Sequence, residues 1–153
     1  MSRAVFLAAT LAMALGACAS GRGHAKSGDR GAAVAQWARR GLGVGYKYGG
    51  RSPDTGFDCS GLAWWSHRQA GVDIPASAET QFASGRRVDA AELAPGDLLF
   101  FSTERRGPSH VGVSLGGERF IHAPKKGRAV TIDTLQDAYW KKRFLGARRY
   151  WQS

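Results

Sequence analysis

Cysteine is nearly absent, with two in 153 residues, at positions 18 and 59. Two thiols build neither a disulfide framework nor a four-thiolate zinc site, and no metal-ligand spacing surrounds either one. Acidic residues are also scarce, 12 against 22 Lys and Arg, which leaves a formal charge of +10. No internal repeat is visible, and no apolar run reaches the roughly 20 residues of a permanent membrane-spanning helix. What is present suits one compact domain: 43% hydrophobic residues, five Trp, seven Phe and four Tyr. That composition excludes wholesale disorder and collagen-like or low-complexity chains, and 21 glycines foretell many tight turns.

The longest apolar run, Ala4 to Leu15, is broken only by Thr10 and follows the basic start Met1-Ser2-Arg3. Its length fits the core of an export signal of about 7–15 residues. The following Leu15-Gly16-Ala17-Cys18 resembles a bacterial lipobox, which implies cleavage after residue 17 and acylation of Cys18. Several acyl chains would anchor the protein stably, where one would not. Residues 18–30, poor in large apolar groups, read as the lipidated cysteine and a flexible linker, with the folded domain over residues 31–153. Ala19 after the cysteine favours, by resemblance to Gram-negative sorting, an outer-membrane lipoprotein facing the periplasm.

Within the domain, Val34, Trp37, Ala38 and Leu42 recur at helical spacing, so an amphipathic helix is predicted over Gly31–Leu42. A Gly-rich loop follows, and a second helix begins after Asp58, a good N-cap, and stops near Gly71. Ser77–Ser84 reads as a short third helix. Beyond it the pattern becomes strands, at Leu98–Phe101, His110–Leu115, Arg119–Ala123, Val130–Ile132 and Phe144–Trp151. Helices first and strands afterwards predict an α+β fold with a mainly antiparallel sheet.

Cys59 falls in the first turn of the second helix, where unpaired backbone N–H groups favour a thiolate, the form that attacks carbonyl carbon. A free cysteine in a helix is also a common small core residue. Two histidines downstream strengthen the chemical reading, because a cysteine nucleophile needs an imidazole to take and return a proton. His110 and His122 flank the turn at Gly116-Gly117. A two-residue loop would put the imidazoles on opposite sheet faces; a three-residue loop, Gly116-Gly117-Glu118, pairs Gly112 with His122 and puts both on one face. The chemistry therefore predicts the three-residue loop.

Five ordered blocks carry a specific likeness: Tyr46-Lys47-Tyr48-Gly49-Gly50, Gly56-Phe57-Asp58-Cys59-Ser60-Gly61-Leu62, Pro95-Gly96-Asp97-Leu98-Leu99-Phe100-Phe101, His110-Val111-Gly112-Val113 and Phe120-Ile121-His122-Ala123. Together, over about residues 32–150, they resemble the NlpC-type family of papain-like cell-wall peptidases. The resemblance implies N-terminal helices packed on an antiparallel sheet of five to six strands. It makes Cys59 the nucleophile, His110 the general acid/base and His122 the group that orients it. Tyr46 with the Cys59 backbone N–H would hold the oxyanion, while Asp58 and Ser60 serve as helix cap and as groove or packing residues. The chain departs from the family at Ala76 and Ala78, where many members carry an arginine and a hydroxyl, and at Tyr48, which replaces a Trp.

The implied activity is hydrolysis of peptidoglycan stem peptides, at the γ-D-glutamyl–diamino acid bond or at cross-links. Alternatives are an N-acetylmuramoyl-L-alanine amidase, a lipid acyltransferase or a catalytically idle wall-binding lipoprotein. No cofactor, metal or nucleic acid is implied, and a monomer is expected. The basic excess survives removal of residues 1–17, at 21 Lys and Arg against 12 acidic residues. Lys125, Lys126, Arg128, Lys141, Lys142, Arg143, Arg148 and Arg149 are read as attracting an anionic wall. His67 is expected at the surface and His24 in the linker, neither with a role.

Overall fold

The computed structural model describes residues 27–152. The leader, Cys18 and His24 lie outside the described residues, and no described helix is long and apolar enough to cross a membrane. In chain order the elements are α1 (Ser27–Arg40), β1 (Arg51–Ser52), β2 (Gly56–Phe57), α2 (Cys59–Gln69), α3 (Ala78–Ser84), β3 (Arg86–Val88), β4 (Leu98–Phe101), β5 (His110–Ser114), β6 (Arg119–His122), β7 (Thr131–Thr134), α4 (Ala138–Arg143) and β8 (Phe144–Arg149). Six strands form one antiparallel sheet in the order β3-β8-β4-β5-β6-β7, and β1 and β2 form a separate hairpin. This is the α+β architecture the pattern predicts.

Helix α1 buries Val34, Ala35 and Ala38, but it starts at Ser27, four residues earlier than expected, and stops at Arg40. Leu42 is therefore outside the helix and 44% exposed, contrary to its expected place in the apolar stripe. Helix α2 is capped as predicted, with the Asp58 carboxylate accepting from Gly61 N at 2.7 Å and Gly71 in the left-handed region at φ 73°. It packs against α1 on one side and β5 on another, so that Leu62, Ala63, Trp65, Ser66 and His67 are all buried. Being covered on two sides corrects the expectation for His67, which is fully buried with Nδ1 2.8 Å from the Ala63 carbonyl. The chain also comes close at Gly61, where a Cβ would collide with the Gly50 carbonyl.

Strand β4 is buried along its whole length because it is central, and its residues divide between two clusters. Leu98 and Phe100 join Val111, Val113, Ile121, Leu62 and Val34 beneath the helices. Leu99 and Phe101 join Phe120 and Ala147 on the other face, which α4 covers with Trp140. The sequence pattern gave no sign of α4, β3 or the β1–β2 hairpin. Six residues Ala-Tyr-Trp-Lys-Lys-Arg show no helical periodicity, and β3, Arg-Arg-Val at the sheet edge, shows no apolar alternation.

The β5–β6 loop is the predicted three-residue one. Val113 pairs with Ile121 and Ser114 with Phe120, and Leu115 N donates to the Arg119 carbonyl at 2.9 Å. Gly116 (φ 94°) and Gly117 (φ 59°) supply the positive dihedrals such a turn requires. Continued toward the strand ends, this register puts His110 and His122 on the face that carries Phe120.

Candidate active site

The loop before α2 is held by its own backbone and by Asp58. Tyr46 N donates to the Arg128 carbonyl, Lys47 N to Phe57, and Asp58 N to Gly50, at 2.9, 2.9 and 3.2 Å. Asp58 returns the favour through its side chain, whose second oxygen accepts from Gly49 N at 2.8 Å. Ser60 Oγ turns back to the same carboxylate at 3.4 Å. The Ser60 carbonyl accepts from the fully buried Gln81 at 3.3 Å, and Gln81 also donates to the Pro75 carbonyl at 2.9 Å. Asp58 and Ser60 thus fix the first turn of α2. The expected cap is present at Asp58.

That turn presents Cys59, half-buried, with its sulfur within reach of the backbone N–H of Val111, the neighbour of His110. Burial pushes its thiol up to about 11; the Val111 N–H pulls it down by more than the Asp58 carboxylate adds, but burial outweighs both. This corrects the expectation of a resting thiolate: the helix terminus is present, but desolvation outweighs it. Tyr46, half-buried, is close enough to Cys59 and Asp58 for both to add to the rise that burial gives its phenol pKa.

On the sheet, His110 Nε2 lies 2.8 Å from His122 Nδ1, with the two rings at 89°. His122 Nε2 lies 2.8 Å from Asp133 Oδ2 on β7. The Trp140 indole stacks on His110 at 5.6 Å and meets His122 edge-on at 4.9 Å. Burial, with His122 alongside, pulls His110 down to about 3, and burial also lowers His122 despite the carboxylate. Both imidazoles are therefore neutral at neutral pH. His110, His122 and Asp133 run in a line and do not converge on one point, and no described cluster of His, Cys, Asp or Glu is arranged to hold a metal.

Two cavities adjoin this line. One of about 370 Å³ is lined by His110, His122, Asp133, Trp140, Lys125 and Arg128 among others; the second, of about 650 Å³, by Tyr46, Lys47, Tyr48, Glu104, Lys125 and Lys126. They share Glu104 and Lys125, so they lie side by side between the Tyr46 loop and the Trp140 helix. The volumes suit a small peptide-like ligand.

Residues 43–149 match the model of the NlpC/P60 family. The chain belongs to that family. It is 44% identical over 119 residues to the gamma-DL-glutamyl hydrolase of Bacillus subtilis, covering 76% of this chain and 29% of that protein. It is 39% identical over 112 residues to murein DD-endopeptidase MepH of Escherichia coli, covering 71% and 41%. An NlpC/P60 family protein from Bacillus cereus superposes with a TM-score of 0.73 at 32% identity, over 80% of this chain and 40% of that one. The chain thus spans less than half the length of these relatives.

Within this NlpC/P60 domain, the fold brings together Tyr46, Cys59, His110 and His122, all singled out from the sequence. Asp133 and Trp140 were missed. Asp133 sits in a polar stretch, Thr131-Ile132-Asp133-Thr134, with no motif around it, and only the pairing of β6 with β7 carries it to His122. Part of the carboxyl-terminal basic cluster has other work. The Arg149 guanidinium forms a bidentate pair with the fully buried Asp97, at 2.6 and 2.7 Å, and Arg148 donates to the Phe82 carbonyl at 2.6 Å. Lys125 and Arg128 are the members that face a cavity beside the histidines.

Proposed function

We propose that the chain is a cysteine endopeptidase that cleaves amide bonds in peptidoglycan stem peptides, at the γ-D-glutamyl–diamino acid bond or at cross-links. One observation carries the reading: a cysteine on a capped helix terminus beside the strand of a buried imidazole that is itself hydrogen-bonded to a second imidazole. Family membership and relatives named for glutamyl and murein bonds support the substrate class, and Lys125 and Arg128 suit its carboxylates.

Cys59 Sγ attacks the amide carbonyl carbon as its proton passes to His110, so the thiolate forms during attack from a neutral pair. The Cys59 backbone N–H and the Tyr46 hydroxyl hold the developing oxyanion. Collapse breaks the C–N bond, His110 gives its proton to the departing amine, and a thioester remains. Water, deprotonated by His110, then releases the acid and restores the thiol. His122 holds the His110 ring in place throughout.

Intact sacculi incubated with the purified chain and with Cys59→Ala, followed by mass spectrometry of the fragments, test this. New free γ-carboxyl termini on D-glutamate, or opened cross-links, are expected with the first and not with the second. A free lactyl group on muramic acid would replace the proposal with an amidase, and unchanged muropeptides would leave a wall-binding role. As a sequence reading outside the described residues, we also place the mature chain on the outer membrane through acylated Cys18. Acyl chains on the amino-terminal peptide by mass spectrometry support that, and an unmodified terminus overturns it.

A further inference from the structure

We propose that Asp133 is a positioning residue that fixes which nitrogen of His110 carries the proton, acting through His122. Hydrogen-bond polarity carries the inference, which rests on the functional reading above. A carboxylate only accepts, so the 2.8 Å contact between Asp133 Oδ2 and His122 Nε2 requires the proton on Nε2. Burial keeps the His122 ring neutral, with one N–H, so its Nδ1 carries a lone pair and accepts. The 2.8 Å contact of His122 Nδ1 with His110 Nε2 then requires the proton of His110 on Nε2. Nδ1 of His110 is left unprotonated and basic, the state a general base needs.

Without a charged end the chain could run either way. Two neutral imidazoles in series are equally well bonded with both protons on Nδ1, and in that form His110 cannot take a proton from Cys59. Asp133 removes this ambiguity from 41% exposed ground, at the wall of the smaller cavity, where its substitution leaves the core intact. Trp140 packs against both rings and restricts their reorientation.

Asp133→Asn is the decisive variant, because an amide keeps the shape and the hydrogen bond but can donate as well as accept. In the purified chain with 15N-labelled histidine, long-range 1H–15N spectra at neutral pH should show both rings protonated on Nε2. Asp133→Asn should populate Nδ1–H on both, and Asp133→Glu should restore the original tautomers. On muropeptides, Asp133→Asn should lower kcat about 10–100-fold, the usual effect of removing an outer partner of a functional imidazole, with KM unchanged and Glu rescuing. A His110 ring protonated on Nδ1 in the unsubstituted chain, or tautomers unmoved by Asp133→Asn, overturns the proposal. The spectra decide it even if no muropeptide is cleaved, a result that would count against the functional reading alone.

Discussion

At Asp58 one carboxylate does two opposed things. It ties the Gly49 and Gly61 amides and so builds the turn that presents Cys59, and its charge helps hold the thiol protonated. Asn caps a helix about as well as Asp. Asp58→Asn should therefore keep the helix start, lose about 1 kcal/mol with the Gly49 contact, and lower the thiol pKa from about 11. The shift is downward because a negative neighbour disfavours thiolate; the thiol should stay above its ordinary value, since burial is the larger cause and remains. The pH dependence of iodoacetamide alkylation measures this, and a midpoint that does not move would remove Asp58 from the electrostatics of the site.

At the scale of elements, β8 lies between β3 and β4 and ends in a buried ion pair. Asp97 is completely buried and also accepts from Ala94 N at 2.8 Å, while the Arg149 side chain is 12% exposed. Arg149→Ala would leave that carboxylate unpaired, a loss of about 3 kcal/mol or more and a fall in Tm on the order of 10 °C. Arg128→Ala, at the cavity wall, should change Tm little and raise KM instead. Thermal melts of the two variants side by side distinguish a structural arginine from a substrate-facing one, which charge counting along the sequence cannot do.

At the scale of the whole fold, three histidines among the described residues are buried and neutral, on α2, β5 and β6, so the fold itself is acid-sensitive. His67 has a pKa of about 4 against an ordinary 6.5, and in the unfolded chain it binds its proton first. Its contribution to stability is therefore intact above 6.5 and is lost as pH falls from there toward 4, on the order of 3 kcal/mol in all. His67→Gln removes that share of the slope. Denaturant melts between pH 7 and 4 should show the gap between variant and parent narrowing with acid; a constant gap would contradict the assignment.

The α+β class, the Asp58 cap and the three-residue loop were legible in the sequence because each rests on local chemistry: a side chain bonding three residues away, glycines at positive φ, a two-residue alternation along a strand. Cys59, His110 and His122 were singled out by residue type and spacing, and Tyr46 by the family resemblance. Asp133, Trp140, the burial of His67 and the pairing of Arg149 with Asp97 were decided only by tertiary structure. Each depends on a neighbour from a distant segment, and so does the protonation of Cys59, which a helix terminus favours losing and a desolvated, acid-capped pocket retains.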